Sequence, residues 1–207
     1  MCYNTDISIK TFLFGLISAI IIYLYDYKYL PIIIIIMSFT SMQLLEYFAW
    51  TYINKKKIIK ILSYIGFFII LLQYIIIYYI SLPEKYKIIS VLIIILYGLY
   101  KLLISKNNFT MIIAKNGHLR WRWIETPIYW LILLLILYLT PLYFYNKLIF
   151  YFGTITAIIS LYSYYNNKTF GSMWCYFSNL LWIIFLISIL FNLNIIENFK
   201  TYFNKYH

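Results

Sequence analysis

Apolar residues in this chain come in long blocks. Runs of Ile, Leu, Phe and Tyr about 20 residues long follow one another, separated by short polar breaks such as "YDYKYLP" (25–31) and "NKKK" (54–57). A helix of about that length crosses the hydrocarbon core of a bilayer. Seven spans are predicted: Thr11–Tyr29, Pro31–Ile53, Ile58–Ser81, Tyr86–Ser105, Pro127–Tyr145, Lys147–Tyr165 and Phe170–Leu193. The first turn is very short, and only "YNK" (145–147) parts the fifth span from the sixth. Six or eight crossings stay open at those two places, where a tight hairpin or re-entrant segment would serve as well. The expected fold is an all-α integral membrane bundle, a single domain over residues 1–207.

Composition strengthens this picture. Of 207 residues, 64% are hydrophobic and 11% charged, with a mean hydropathy of +0.82. Soluble domains carry roughly a quarter charged residues, so a soluble fold is excluded. The 17 Lys and Arg against 6 Asp and Glu would suggest nucleic acid in a soluble protein. Here they set orientation. Lys10, the Lys55–Lys57 run, Lys60, Lys101, Lys106, Lys115, Arg120, Arg122 and Lys168 fall on one side of a seven-span model, and a smaller set falls on the other. The positive-inside rule then predicts a cytoplasmic N-terminus. The first span has no small-residue cleavage site after it and is expected to stay in the mature protein.

Two cysteines, Cys2 near the terminus and Cys175 inside a span, are too far apart in this topology to pair. The 25 tyrosines, with the richness in Ile, Lys and Asn, read as base composition. An aromatic stripe therefore carries little functional weight, and Tyr at a span end has the simple role of holding its ring among headgroups.

Most connections are three to six residues, which makes successive spans antiparallel neighbours. The fourth is the exception. "KNNFTMIIAKNGHLRWRWIET" (106–126) has its own apolar turn, an "NG" turn signal and alternating basic and tryptophan residues. A short hairpin or interfacial segment on the cytoplasmic face is predicted, with Trp121 and Trp123 at the lipid boundary and Arg120 and Arg122 on phosphates. The tail after Leu193 is expected to be a short amphipathic helix on the outer surface. No internal repeat is evident.

Glu46 is the one acidic residue deep inside a span, since Asp26 belongs to the first turn. It lies about 12 Å from the cytoplasmic end at 1.5 Å per residue. A charge at that depth costs several kcal/mol against lipid, so Glu46 is expected to face the bundle interior, be protonated, or be paired. Gln43 and Trp50 share its helical stripe, with Thr40 close by. A second polar cluster opens the last span, "FGSMWCYFSNLLW" (170–182). Gly171, Cys175, Ser178 and Trp182 share one face there, bordered by Ser172 and Asn179. Small polar residues of this kind let helices approach and hydrogen-bond.

One topology brings these clusters and the basic loop to the same inner half of the bilayer. The expected site is a cytoplasm-open polar cavity with Glu46 at its floor. Gln43, Asn179, Ser172, Ser178, Cys175, Trp50 and Trp174 would line it, and His118, Arg120 and Arg122 would form the rim. No histidine lies in a span to bind a membrane zinc, and the last span has no lysine for a Schiff base. No cofactor is expected.

"QLLEYFAW" (43–50), "NGHLRWRW" (116–123) and "GSMWCYFSN" (171–179) together resemble uncharacterised multi-pass membrane proteins of giant DNA viruses and their protist relatives. The resemblance covers three short patches and implies no activity. The leading expectation is a transporter or channel-like protein for an ion, proton or small polar solute. The alternative is a structural or interaction protein whose polar residues only lock helices; a lipid-acting enzyme using Cys175 or Ser172 is least supported. Expected partners are the bilayer and anionic headgroups at the cytoplasmic face, with no nucleic acid, and self-association is compatible with the pattern.

Overall fold

The structure, a computed structural model, describes residues 4–104 and 109–191. Seven helical spans run through it: α1 (Thr5–Tyr25), α2 (Leu30–Thr51), α3 (Lys56–Ser81), α4 (Glu84–Ile104), α5 (Ile128–Tyr145), α6 (Lys147–Tyr164), and a seventh divided into α7 (Phe170–Ser178) and α8 (Leu181–Leu190). All seven are long and apolar enough to cross a bilayer. An antiparallel hairpin, β1 (Met111–Ile113) and β2 (Leu119–Trp121), lies between α4 and α5, with Met111 opposite Trp121. The tail after Phe191, Cys2 and Asn108, the first residue of the glycosylation sequon "NFT", fall outside the described residues.

Helix ends follow local chemistry. α1 begins at Thr5, earlier than expected, because the Asn4 side chain accepts the Ile7 N–H at 2.9 Å and Asp6 favours the positive end of the helix dipole. It stops at Tyr25, where Asp26 turns extended and its carboxylate accepts the Lys28 N–H at 2.9 Å. A single 3-10 turn, Tyr27–Tyr29, then leads into α2, with Pro31 in the first turn. The narrow break between α5 and α6 is one residue, Asn146. It ends α5, and its side chain accepts the Ile149 N–H at 3.2 Å to start α6. That double cap makes two full spans where a re-entrant segment had been an alternative.

α2 is the most enclosed helix, packed on α1, α3 and α7. α3 carries α4 on one flank and α5 on another, while α6 packs on both α5 and α7, and α8 returns to α1. α4 is the most peripheral span, with Ile88, Leu96 and Leu103 pointing outward. In a bilayer such exposure faces lipid.

Side chains on α3 bind α5 through its backbone. Pro141 inside α5 has no N–H, which leaves the Leu137 carbonyl without its usual helical donor. The Tyr78 hydroxyl donates to that carbonyl at 2.8 Å, and one turn earlier the Tyr74 hydroxyl donates to Leu134 at 3.0 Å. Gln73 extends the connection. Its amide donates to the Ser38 carbonyl on α2 at 2.8 Å, and its oxygen accepts from the Tyr138 hydroxyl on α5 at 3.0 Å.

The hairpin turns through Gly117, at φ 78, and packs inward against the bundle. Trp121 and Trp123 are buried and stacked nearly parallel, 5.6 Å between centroids. Their expected place at the lipid boundary is therefore corrected: the stacked pair fills space beside α2, α3 and α7. Gly171 makes this seat, since a Cβ there would come within 3.2 Å of the Trp121 ring.

Candidate functional site

The predicted site residues separate into three local environments. The first is a polar junction between α2 and the broken last span. The Thr40 hydroxyl donates to the Asn179 side-chain oxygen at 2.7 Å, and the Trp182 indole N–H donates to Thr40 at 2.9 Å. The Asn179 amide donates to the Cys175 carbonyl at 2.7 Å. That carbonyl is the one its own backbone N–H would take in an α-helix, and the backbone N–H bonds to Tyr176 instead. The side-chain bond thus accounts for the tight turn that parts α7 from α8.

Gln43 and Glu46 are fully buried on α2, in the interior as charge cost demands. Glu46 lies five residues before Thr51, about 7–8 Å along the helix, and within electrostatic reach of Cys175. Trp50 is half-buried, and its indole N–H has no hydrogen-bond partner among the described residues. Ser172 is buried on α7. Ser178 turns back to its own helix, donating to the Trp174 carbonyl. Trp174 faces α6, with its N–H shared between the Gly153 carbonyl and the Thr156 hydroxyl, each at 3.2 Å. Trp174 therefore belongs to the α6–α7 contact.

The hairpin is the second environment. His118 is buried, its ring edge-on to Tyr164 at 5.4 Å, and burial pushes its pKa below the ordinary 6.5. Arg120 grips Glu125 through two bonds, 2.7 and 2.8 Å, and Lys168 reaches the same carboxylate at 3.1 Å. Partial burial pushes the Glu125 carboxyl up, but the hydrogen bonds and charges of Arg120 and Lys168 outweigh it and hold the pKa below the usual range. Arg120 is thus engaged within the protein. Arg122 is exposed and makes no ion pair among the described residues.

Two cavities form the third. The larger, about 480 Å³, lies along α3 between α4 and α5 and reaches α7 at Trp174 and Cys175. Its walls are almost wholly apolar and aromatic. At the hairpin end stand Lys101, Thr126 and the Trp121–Trp123 pair. The indole N–H groups of both tryptophans and the Thr126 hydroxyl are buried without hydrogen-bond partners among the described residues. A smaller polar cavity of about 420 Å³ is lined by Arg122, Glu125, Tyr165 and Lys168, and Thr126 and Phe170 line both. Neither cavity is lined by Gln43 or Glu46.

Sequence reasoning passed over Gln73 and Tyr138, and used Lys101 only for orientation. Gln73 carries the same signal as Gln43, an amide inside a span, and that criterion applied evenly would have found it. Nothing local marks Tyr138 among 25 tyrosines.

This arrangement defines the class: an integral, multi-pass, all-α membrane protein. Comparison with protein-family models, curated proteins and solved structures gave no match.

Proposed function

We propose that this protein binds a membrane lipid within the bilayer, along the groove that α3 forms with α4 and α5. One observation carries the reading: the 480 Å³ cavity is walled by apolar side chains. Its volume falls in the range of roughly 300–1,000 Å³ typical of small-molecule sites. An acyl chain matches such a lining, whereas a hydrated ion or small polar solute would lose hydration there without replacement. The reading is tested by mass spectrometry of the protein purified in mild detergent. A retained lipid is expected in the wild type and should be lost in Leu134→Trp, which fills the cavity from α5. Equal lipid retention by a folded Leu134→Trp variant would overturn it.

A second reading, the carrier of an ion, proton or small polar solute, is favoured by the complete burial of Glu46 on α2. Ionisable groups within spans are rare, cost roughly 2.5–3.5 kcal/mol or more when charged at a span centre, and commonly mark transport pathways. Glu46 would change charge during the cycle, with Gln43 beside it on the same stripe. Proton and cation flux in proteoliposomes should then fall to background in Glu46→Gln. Unchanged flux with a lowered melting temperature would instead favour the structural alternative, in which Glu46 only locks helices.

A further inference from the structure

The two cavities adjoin at Thr126 and Phe170, and their linings are opposite in chemistry. One is an apolar slot running along α3 toward the far side of the bundle. The other is a polar chamber at the hairpin end, where the α6–α7 connection meets the segment leading into α5. Side by side they have the form of an amphiphile, a tail compartment beside a head compartment.

We infer that the bound molecule is an anionic bilayer lipid, with its acyl chain in the apolar cavity and its headgroup in the polar chamber against Arg122 and Lys168. This rests on the lipid-binding reading above.

Charge supports the sign of the headgroup. The chamber contains two cations and one carboxylate, Glu125. That carboxylate is already held by Arg120 from outside the chamber as well as by Lys168. Arg122 lines the chamber with no ion pair among the described residues, so its planar fork can bind a phosphate through two donors. Lys101, in the last turn of α4, adds a positive charge at the same end of the apolar cavity.

The junction supports the position of the neck. Thr126 faces both compartments and its buried hydroxyl has no hydrogen-bond partner among the described residues. The indole N–H groups of Trp121 and Trp123, at the hairpin end of the tail compartment, are in the same condition. These donor atoms are closed off from both cavities, so the neck is placed by the residues that line both compartments, Thr126 and Phe170. A bilayer lipid is favoured over a free anion because the chamber shares a wall with an apolar slot that a soluble anion would leave empty.

The test is native mass spectrometry of the full-length protein in non-ionic detergent, titrated separately with phosphatidylglycerol, phosphatidylcholine and inorganic phosphate. Wild-type protein should prefer phosphatidylglycerol over phosphatidylcholine by about tenfold or more, and should not retain inorganic phosphate. Arg122→Gln, which breaks no ion pair among the described residues, should remove most of that preference while phosphatidylcholine still binds. Lys168→Gln should act in the same direction. Leu134→Trp should abolish binding of both lipids. If Leu134→Trp abolishes both and Arg122→Gln leaves the preference intact, the headgroup assignment falls and the lipid-binding reading stands. If Leu134→Trp changes neither lipid, both fall. Retention of inorganic phosphate lost in Arg122→Gln would make the chamber a free-anion site and overturn the assignment.

Discussion

At the residue scale, the junction of Thr40, Asn179 and Trp182 joins α2 to the last span through side chains that are all buried. Inside a membrane such bonds contribute about 0.6 kcal/mol on average and up to about 1.7. Thr40→Val keeps the shape and removes the hydroxyl, leaving the Asn179 oxygen and the Trp182 N–H without it. The expected loss is about 1–3 kcal/mol, the cost of unsatisfied buried groups. A thermal melt in detergent should show a lowered midpoint for Thr40→Val and for Asn179→Ala. Because the two share one bond, the double variant should lose less than the sum. A strictly additive result would argue against direct coupling. Glu46 and Gln73 show how differently two residues of the same kind can be read. Both are polar groups inside spans, but only the acid drew attention, because a buried charge is costly and a buried amide merely needs partners.

At the element scale, the hairpin is held by groups that titrate. His118 is buried with a pKa below 6.5, so the unfolded hairpin takes up protons first as pH falls below that value. Its contribution to stability is present above pH 6.5 and declines as pH falls through the lowered folded value. Glu125 acts in the same direction further down the scale. Its folded pKa lies below the ordinary 4.5, so the Arg120–Glu125–Lys168 contact is fully effective above 4.5 and is lost as pH falls through the lowered value. Hydrogen exchange, corrected for intrinsic rates, should show the hairpin amides losing protection as pH falls below 6.5 while those of α2 and α3 keep theirs. Uniform loss across the molecule, or none in the hairpin, would count against this account. The hairpin itself was legible from "NG" and its flanking apolar residues. Its direction was not: Trp-rich basic segments suit a membrane surface, and only the space left beside Gly171 turned the ring pair inward.

At the scale of the whole molecule, the lysines and arginines of the α2–α3 turn, the hairpin and the α6–α7 turn lie at one end of the bundle. The positive-inside rule predicts that this end is cytoplasmic. The "NKT" sequon at Asn167 sits there, in the turn before α7. It should remain unmodified when the protein is made in a glycosylating cell, whereas a glycan at Asn167 on electrophoresis would invert the topology. A cytoplasmic hairpin end would also set the polar chamber against the leaflet richest in anionic lipid.

Seven spans could be read directly because span length and apolarity are local properties, set by the thickness of the bilayer and the need to satisfy backbone groups within one helix. The same is true of the inward placement of Glu46, which follows from the cost of a charge in lipid. The cavity could not be read this way. Ile, Leu and Tyr line the groove of α3 and α5 and cover the lipid-facing side of α4 alike, so residue type cannot tell a binding wall from a bilayer contact. Where the space lies depends on how α4 and α5 each pack on α3, and on the hairpin closing one end. Those are distances between segments far apart in the chain, and they exist only once the bundle has assembled.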